Sequence, residues 1–349
     1  MIIPGSSSIV LLMLVLGMLC RGLWANTFKA EGGKWRFELY CFDFAIGMLV
    51  AATIFAFTLG SLGFDGFSVM DDLRLAGKRQ EAVAFIAGVV FNLGNMLQLG
   101  AVSISGLAVA FPIGMGFALV LNVAWTSILN PGSGSPLLFT GAAVVLVSMV
   151  LAVLAFREYS LAKLVAAAQL GKTKSTKKTV SLRAVAFSLA AGLMIGSLLP
   201  LIQTSQAGEN GIGPYSIGLL FALGLFLSTF VFNLFFMNLP VSGEPIEIHE
   251  WFRGKLVRHL WGILGGMLMY TGAIASLAAD RVEGSARVSA GIGYALGQGG
   301  IVIAAVSGIV IWKEFEGADA KVKTYLALML ILLLIGIGTM STASLASSF

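Results

Sequence analysis

The chain has 349 residues, 58% hydrophobic and 11% charged, with a formal net charge of +5 and a mean hydropathy of +0.93. So few charges cannot cover a globule, which excludes a water-soluble domain. The basic excess does not imply nucleic acid, because no soluble basic domain exists to carry it and Lys and Arg collect in the cytoplasmic loops of membrane proteins.

Apolar runs of about 20 residues, the length that crosses about 30 Å of hydrocarbon, recur at 9–28, 43–61, 82–102, 106–129 and 136–156. Five more follow at 184–204, 214–237, 259–279, 288–312 and 324–344. The Ile9–Leu19 run has nothing basic before it and no small-residue cleavage pattern after it, so it reads as the start of a permanent first helix. Turn residues punctuate the breaks, as in Asn130-Pro131-Gly132 and Gly211-Ile212-Gly213-Pro214. Between the two sets lies the long, polar, strongly basic stretch Arg157–Arg183. The expected organisation is a first five-helix repeat over 1–156, a basic cytoplasmic linker over 157–183 and a second five-helix repeat over 184–349.

The halves echo each other. At an offset of 178 residues, Gly88, Gly94 and Gly106 fall on Gly266, Gly272 and Gly284, and Leu99, Ala101 and Ala108 on Leu277, Ala279 and Ala286. This pairs spans three and four with spans eight and nine. An odd number of spans per half turns the second copy upside down, so the expected fold class is an all-α membrane protein of ten transmembrane helices in two inverted-topology repeats. If the linker is cytoplasmic, only Arg74, Lys78, Arg79, Arg281 and Arg287 fall in outside loops, with Arg21 inside span one. That bias predicts a plasma-membrane protein (bacterial inner membrane) with both termini outside.

Polar side chains at depth are costly, and they mark candidate function. Arg21 is the only charge well inside a span, about 10 Å from its cytoplasmic end at 1.5 Å per residue. It shares a helical face with Gly17 and Trp24. Two readings stand: a fixed positive charge near a substrate or coupling site, or an arginine snorkelling to the nearer interface. Asn92, Asn95 and Gln98 form a lane of amides in span three. Asn95 and Gln98 suit contact with a polar, neutral solute, and Asn92 suits a hydrogen bond between helices. Arg287, Gly291, Tyr294 and Gln298 recur at i, i+4, i+7 and i+11 on span nine, with Tyr294 and Gln298 as candidate contacts and Arg287 nearer the outer mouth. Pro112 and Pro200 are expected to kink spans four and six; Gln203 and Thr204 beyond Pro200 are weaker candidates. Asp43 and Glu314 read as interfacial anchors or ion-pair partners rather than coupling sites. With two cysteines and two histidines, Cys20, Cys41, His249 and His259, there is neither a disulfide framework nor metal-ligand spacing. Neither catalytic residues nor a metal or cofactor are expected. Gly171-Lys172-Thr173 ends a phosphate-loop pattern whose first glycine is replaced by Ala166, so the linker reads as a solvated basic loop near anionic lipid.

RGLWANTFK in span one, FDFAIGMLVAATIFAFTLG in span two, GVVFNLGNMLQLGAVSISGLAVA across spans three and four, and YALGQGG with the later WKEF in span nine resemble the drug/metabolite transporter superfamily. The likeness is to its ureide-permease, glucose/ribose-uptake and L-rhamnose–proton symporter branch. It implies solute/cation symport, with sugars, ureides or nucleobases as cargo and H+ or Na+ as coupling ion. The expected protein is therefore not an enzyme but a secondary carrier of a small polar solute. Its site lies near the midplane between spans one, three, four, six, eight and nine. Trp24, Asn95, Gln98, Tyr294 and Gln298 contact the solute there, and Arg21 has an electrostatic role. Expected partners are the solute, bilayer lipid and, as one option, a second copy of the chain. A drug or metabolite exporter is the rival reading; a membrane enzyme acting on lipid-linked substrates lacks clustered acids, bases or metal ligands.

Overall fold

The computed structural model describes residues 1–2, 4–30, 35–63, 67–129, 134–169, 180–241, 243–282 and 284–346. Among them are no strands, and ten helices are long and apolar enough to cross a membrane. In chain order these are α1 (Ser7–Ala30), α2 (Phe37–Phe57), α3 (Lys78–Ser105), α4 (Leu107–Leu129), α5 (Pro136–Gln169), α6 (Leu182–Gln206), α7 (Pro214–Asn238), α8 (Leu256–Ala279), α9 (Ala290–Val310) and α10 (Ala320–Ala346). The architecture fits a multi-pass membrane protein. Outward faces such as Leu11, Leu12, Leu16 and Leu19 on α1, or Ile331, Leu334 and Ile335 on α10, are exposed and apolar, as lipid-facing surfaces must be.

Within the expected linker 157–183, α5 runs on as helix to Gln169 and helix resumes at Val180. Gly171-Lys172-Thr173 and most of the basic run lie outside the described residues. Of the two prolines, Pro200 breaks its helix and Pro112 does not. Pro200 has no N–H to give the Gly196 carbonyl, and α6 accordingly divides at Ser197 into Val180–Gly196 and Leu198–Gln206. Pro112 sits inside an α4 that stays continuous.

Loop contacts sort the bundle into two ends. At the end bearing Gln169 and Val180, the hinge end, Lys29 pairs with Glu314 at 2.8 Å, Lys321 pairs with Glu158 at 3.1 Å, and the Tyr159 hydroxyl donates to the Glu316 carbonyl. At the far end, Gly77 N–H donates to the Asn210 carbonyl, Gly213 N–H to Asp72 and Ser7 to the Ser285 carbonyl.

Glycine decides which helices approach. A Cβ on Gly88 of α3 would strike the Phe221 carbonyl of α7, and one on Gly224 of α7 the Phe85 carbonyl of α3. Likewise Gly266 of α8 abuts the Phe44 carbonyl of α2, and Gly47 of α2 the Ile263 carbonyl of α8. The α1–α9 seam places Gly22 against Gly300 and Ile303, and the α6–α4 seam places Gly196 against Ala118 and Leu121. Helix α1 also packs on α8, α3 on α6, and α2 on α7; α5 lies along α10, and α4 touches α9. Gly106 and Gly284, at φ +85° and +66°, turn the chain after α3 and after α8 in a conformation that penalises any Cβ.

Asp43 is fully buried rather than interfacial. Its carboxylate accepts from the indole N–H groups of Trp35 at 3.1 Å and Trp251 at 2.9 Å, and His259 Nδ1 lies 2.8 Å away. It fastens the start of α8 and the segment before it to α2.

Gly88→Leu and Gly266→Leu, each driven into facing backbone, should lower the melting temperature of detergent-solubilised protein by about 3–8 °C. Gly338→Ala, where an added Cβ meets nothing within 4 Å, should leave it unchanged or slightly raised.

Candidate functional site

A cavity of about 210 Å³ opens inside the bundle, walled by α1, α3, α4, α6, α8 and α9. Trp24, Asn95, Gln98 and Gln298 line it, together with Arg21. Asn122 of α4, a polar residue that no spacing argument had marked, lines it as well. A second lobe of about 220 Å³ adjoins it, sharing Arg21, Phe91, Leu198, Met269 and Ala273 as common wall. That lobe reaches toward α2 and α7 and is apolar, with Ile202, Ile217, Phe221 and Leu277 in its lining, apart from Arg21, Tyr270 and Ser276.

Several polar atoms of the cavity have no hydrogen-bond partner among the described residues, as is also true of Ser188, Ser216 and Asn233 outside the two linings. Asn95 and Gln98 are only 2% and 1% exposed. Yet Asn95 Nδ2, both amide atoms of Gln98, Asn122 Oδ1, and Arg21 Nε and Nη2 are buried without a hydrogen bond. In the second lobe the hydroxyls of Tyr270 and Ser276 are in the same state. A buried unmet donor or acceptor costs about 1–3 kcal/mol, so a cluster of them around a hollow suits a polar occupant, water or solute.

Arg21 reaches the hollow because small residues let its helix in. Gly272 of α8 lies against the Arg21 side chain, Gly300 of α9 against the Arg21 backbone, and Gly297 near its guanidinium. With Ser7–Ala30 as its helix, Arg21 stands about 21 Å from one end and about 14 Å from the other at 1.5 Å per residue. It therefore turns inward at mid-depth instead of snorkelling. Gln98 is held beside Gly114 of α4, where any Cβ would collide with its amide oxygen.

Asn92, one turn before Asn95, does the opposite job. Its amide donates to the Leu225 carbonyl, Ser228 and Thr229 of α7 at 2.9 to 3.1 Å. Tyr294 does not line the cavity: its hydroxyl donates to Met340 Sδ at 3.3 Å on α10, while Ser341 donates to the Gly291 carbonyl. That end of α9 leans on α10, and only from Gly297 onward does the face turn to the hollow. Arg287 precedes the helix, and Thr204 donates to the Pro200 carbonyl.

On the hinge side the cavity is closed. Trp24 packs between Phe44 and Phe111, with ring centroids 5.1 and 6.0 Å away. Below it the Trp312 indole donates to Asn26 at 2.6 Å. Glu314, besides pairing with Lys29, accepts the N–H groups of Leu107 at 2.8 Å and Ala108 at 2.9 Å, capping the start of α4. The turn that aims Glu314 there passes through Lys313 at φ 48°, a strained setting for a residue with a Cβ. A Cβ on Gly308 would meet Ala108 N, so α4 and α9 touch at this end, whereas Gly293, nearer the far end, has nothing within 4 Å.

Neither a protein-family model nor a curated protein matches the chain. A solved structure described as "Crystal structure of protein" superposes over 96% of this chain and 96% of its own, with a TM-score of 0.53 and 15% identity, a likeness of fold alone.

Asn92→Ala should destabilise the protein by about 1–2 kcal/mol, since three bonded contacts to α7 go. Asn95→Ala, which removes an unpaired amide, should change stability by less than about 0.5 kcal/mol. Chemical or thermal unfolding of the two variants side by side checks the contrast.

Proposed function

We propose that the protein is a secondary carrier of a small polar solute, moved by alternating access between two inverted five-helix halves, and not an enzyme. The observation that carries this reading is the mid-depth cavity. Its unsatisfied amides come from α3 and α4 and its unsatisfied guanidinium from α1, and the Trp24 and Glu314 contacts lie on its hinge side. A structural helper would have no use for such unmet groups.

The packing supports inverted halves. Replacing each helix by the one five places along turns α1–α8 into α6–α3, α1–α9 into α6–α4, α2–α8 into α7–α3 and α4–α5 into α9–α10, all of them observed neighbours. The α2–α7, α4–α9 and α5–α10 contacts map onto themselves. Individual glycines obey the same exchange: Gly88 on Phe221 corresponds to Gly266 on Phe44, and Gly22 on Gly300 to Gly196 on Ala118. Such halves can open one end by the motion that closes the other. On this reading the solute enters from the far end, which the placement of Lys and Arg predicts to be external. The likeness of the sequence motifs to the drug/metabolite transporter superfamily is in keeping with it, and a cation is the natural coupling ion.

Export of a more hydrophobic metabolite is the second reading, favoured by the second lobe with its Phe91, Phe221, Met48 and Met269 walls. Counterflow of labelled uracil, allantoin and simple sugars into proteoliposomes, against efflux of hydrophobic dyes, separates the two. Gln98→Ala or Gln298→Ala should reduce transport at least about tenfold while leaving expression and melting temperature near wild type. Undiminished transport by both variants would remove these amides from the pathway.

A further inference from the structure

We propose that the solute is an organic anion, its negative group seated on the Arg21 guanidinium where the two lobes meet. This inference rests on the carrier reading above and names the chemistry of its cargo.

Arg21 lines both lobes and, among the described residues, is the only ionisable one with a charge at neutral pH in either lining. A guanidinium stays protonated in proteins, so it cannot shed its charge to suit a low-dielectric setting. Its Nε and Nη2 are nonetheless buried and unbonded, and among the described residues no carboxylate lies within ion-pair distance of it. Asp280, just past the end of α8, interacts electrostatically with both Arg21 and Arg287 without forming a pair with Arg21. It stands eight residues beyond Gly272, the residue against which Arg21 packs, or about 12 Å along the helix. A buried charge without a partner is among the most expensive features a fold can keep. A neutral glutamine or methionine could fill that place if only shape or hydrogen bonding were needed. With Asp280 out of ion-pair range, a counter-charge in direct contact with Arg21 would come from the solute.

The exchange of halves sharpens the point. Phe91 and Met269 correspond at the 178-residue offset and wall both lobes, and Gln98 corresponds to Ser276, each with an unmet polar atom in its own lobe. Arg21 has no basic counterpart in α6, which carries no charge from Ala184 to Gln206. It is an addition to one half, placed where the halves meet.

An inorganic anion would satisfy Arg21 and leave Asn95, Gln98 and Asn122 unmet and both lobes void. An organic anion can place its carboxylate or equivalent at the junction, hydrogen-bonding groups among the amides and carbon against Phe91, Phe221 and Met269. Arg favours this because its planar fork takes a carboxylate by two parallel bonds.

The test compares full-length wild-type protein in low-salt detergent buffer with matched ligands: glucuronate against glucose, phenylacetate against phenylacetamide, and a series of two- to eight-carbon monocarboxylates, with chloride and inorganic phosphate as controls. Thermal shift reads binding to the folded form. At least one carboxylate should bind tenfold or more tightly than its neutral partner. Arg21→Gln should bring the two within about twofold, and Arg21→Lys should keep part of the preference. Equal binding of neutral partners by wild type, protection by chloride or phosphate alone, or no shift with any carboxylate up to about 10 mM would overturn the proposal, even if Arg21→Gln fails to fold. The carrier reading fails separately: an anion bound through Arg21 but never moved into proteoliposomes sinks transport and leaves the anion site. A neutral solute carried by Arg21→Gln at the wild-type rate does the reverse.

Discussion

Helices surrounded by lipid gain little by hiding apolar side chains from an equally apolar solvent, so their association depends on how closely backbones can approach. The bundle is set by that constraint. Gly88 and Gly224 bring α3 and α7 to backbone contact, and Gly47 and Gly266 do so for α2 and α8. With those four helices drawn tight on the flank, α1, α3, α4, α6, α8 and α9 enclose a hollow that no side chain fills. The polar atoms that face it are tolerable because dispersion contacts and hydrogen bonds elsewhere, such as those of Asn92 and Asp43, hold their helices in place.

Much of this was legible in the residues. Ten apolar runs correspond to ten helices, because of the two backbone solutions a bilayer allows, helix and closed barrel, only the helix needs runs of about 20 apolar residues. The 178-residue register of glycines was visible too, although its meaning was not: sequence identity shows that Gly88 and Gly266 match, but not that each meets a carbonyl of the matching partner helix. The residues already suggested Asn92 for a bond between helices and Asn95 for the hollow, although three residues apart on one helix can mean two different neighbours. The structure turns the first toward α7 and the second toward the hollow. Tyr294 fell to the same ambiguity, its long side chain leaning on Met340 while Gln298, one turn on, faces inward. Asp43 looked interfacial because its partners, Trp35, Trp251 and His259, are dispersed over the chain and converge only in three dimensions. Glu314 is an ion-pair partner, as the residues suggested, but its capping of Leu107 and Ala108, some two hundred residues earlier, was not legible.

The two ends of the bundle differ in what holds them. At the hinge side, ionic and capping contacts of Glu314 join the segment after α9 to the starts of α4 and the end of α1. These contacts are few and polar, and they span the halves, so they can part without unpacking a core. The glycine seams are many and lie along helix lengths, and they are suited to travel as rigid units. A division of labour between lasting seams and separable end contacts is what a molecule needs if it is to present one hollow to two sides.

Arg21 has one more consequence. It holds a positive charge with no ion-pair partner at close range among the described residues, Asp280 acting on it from farther off, near the middle of the bilayer, where most of a transmembrane voltage falls. Carrying a full charge through 100 mV involves about 2.3 kcal/mol, so any rearrangement that shifts this guanidinium along the membrane normal, or reshapes the water-filled depth around it, feels the voltage. Once a monovalent anion is seated on it, the same movement is electrically silent. The membrane potential would then act chiefly on the return of the unloaded form.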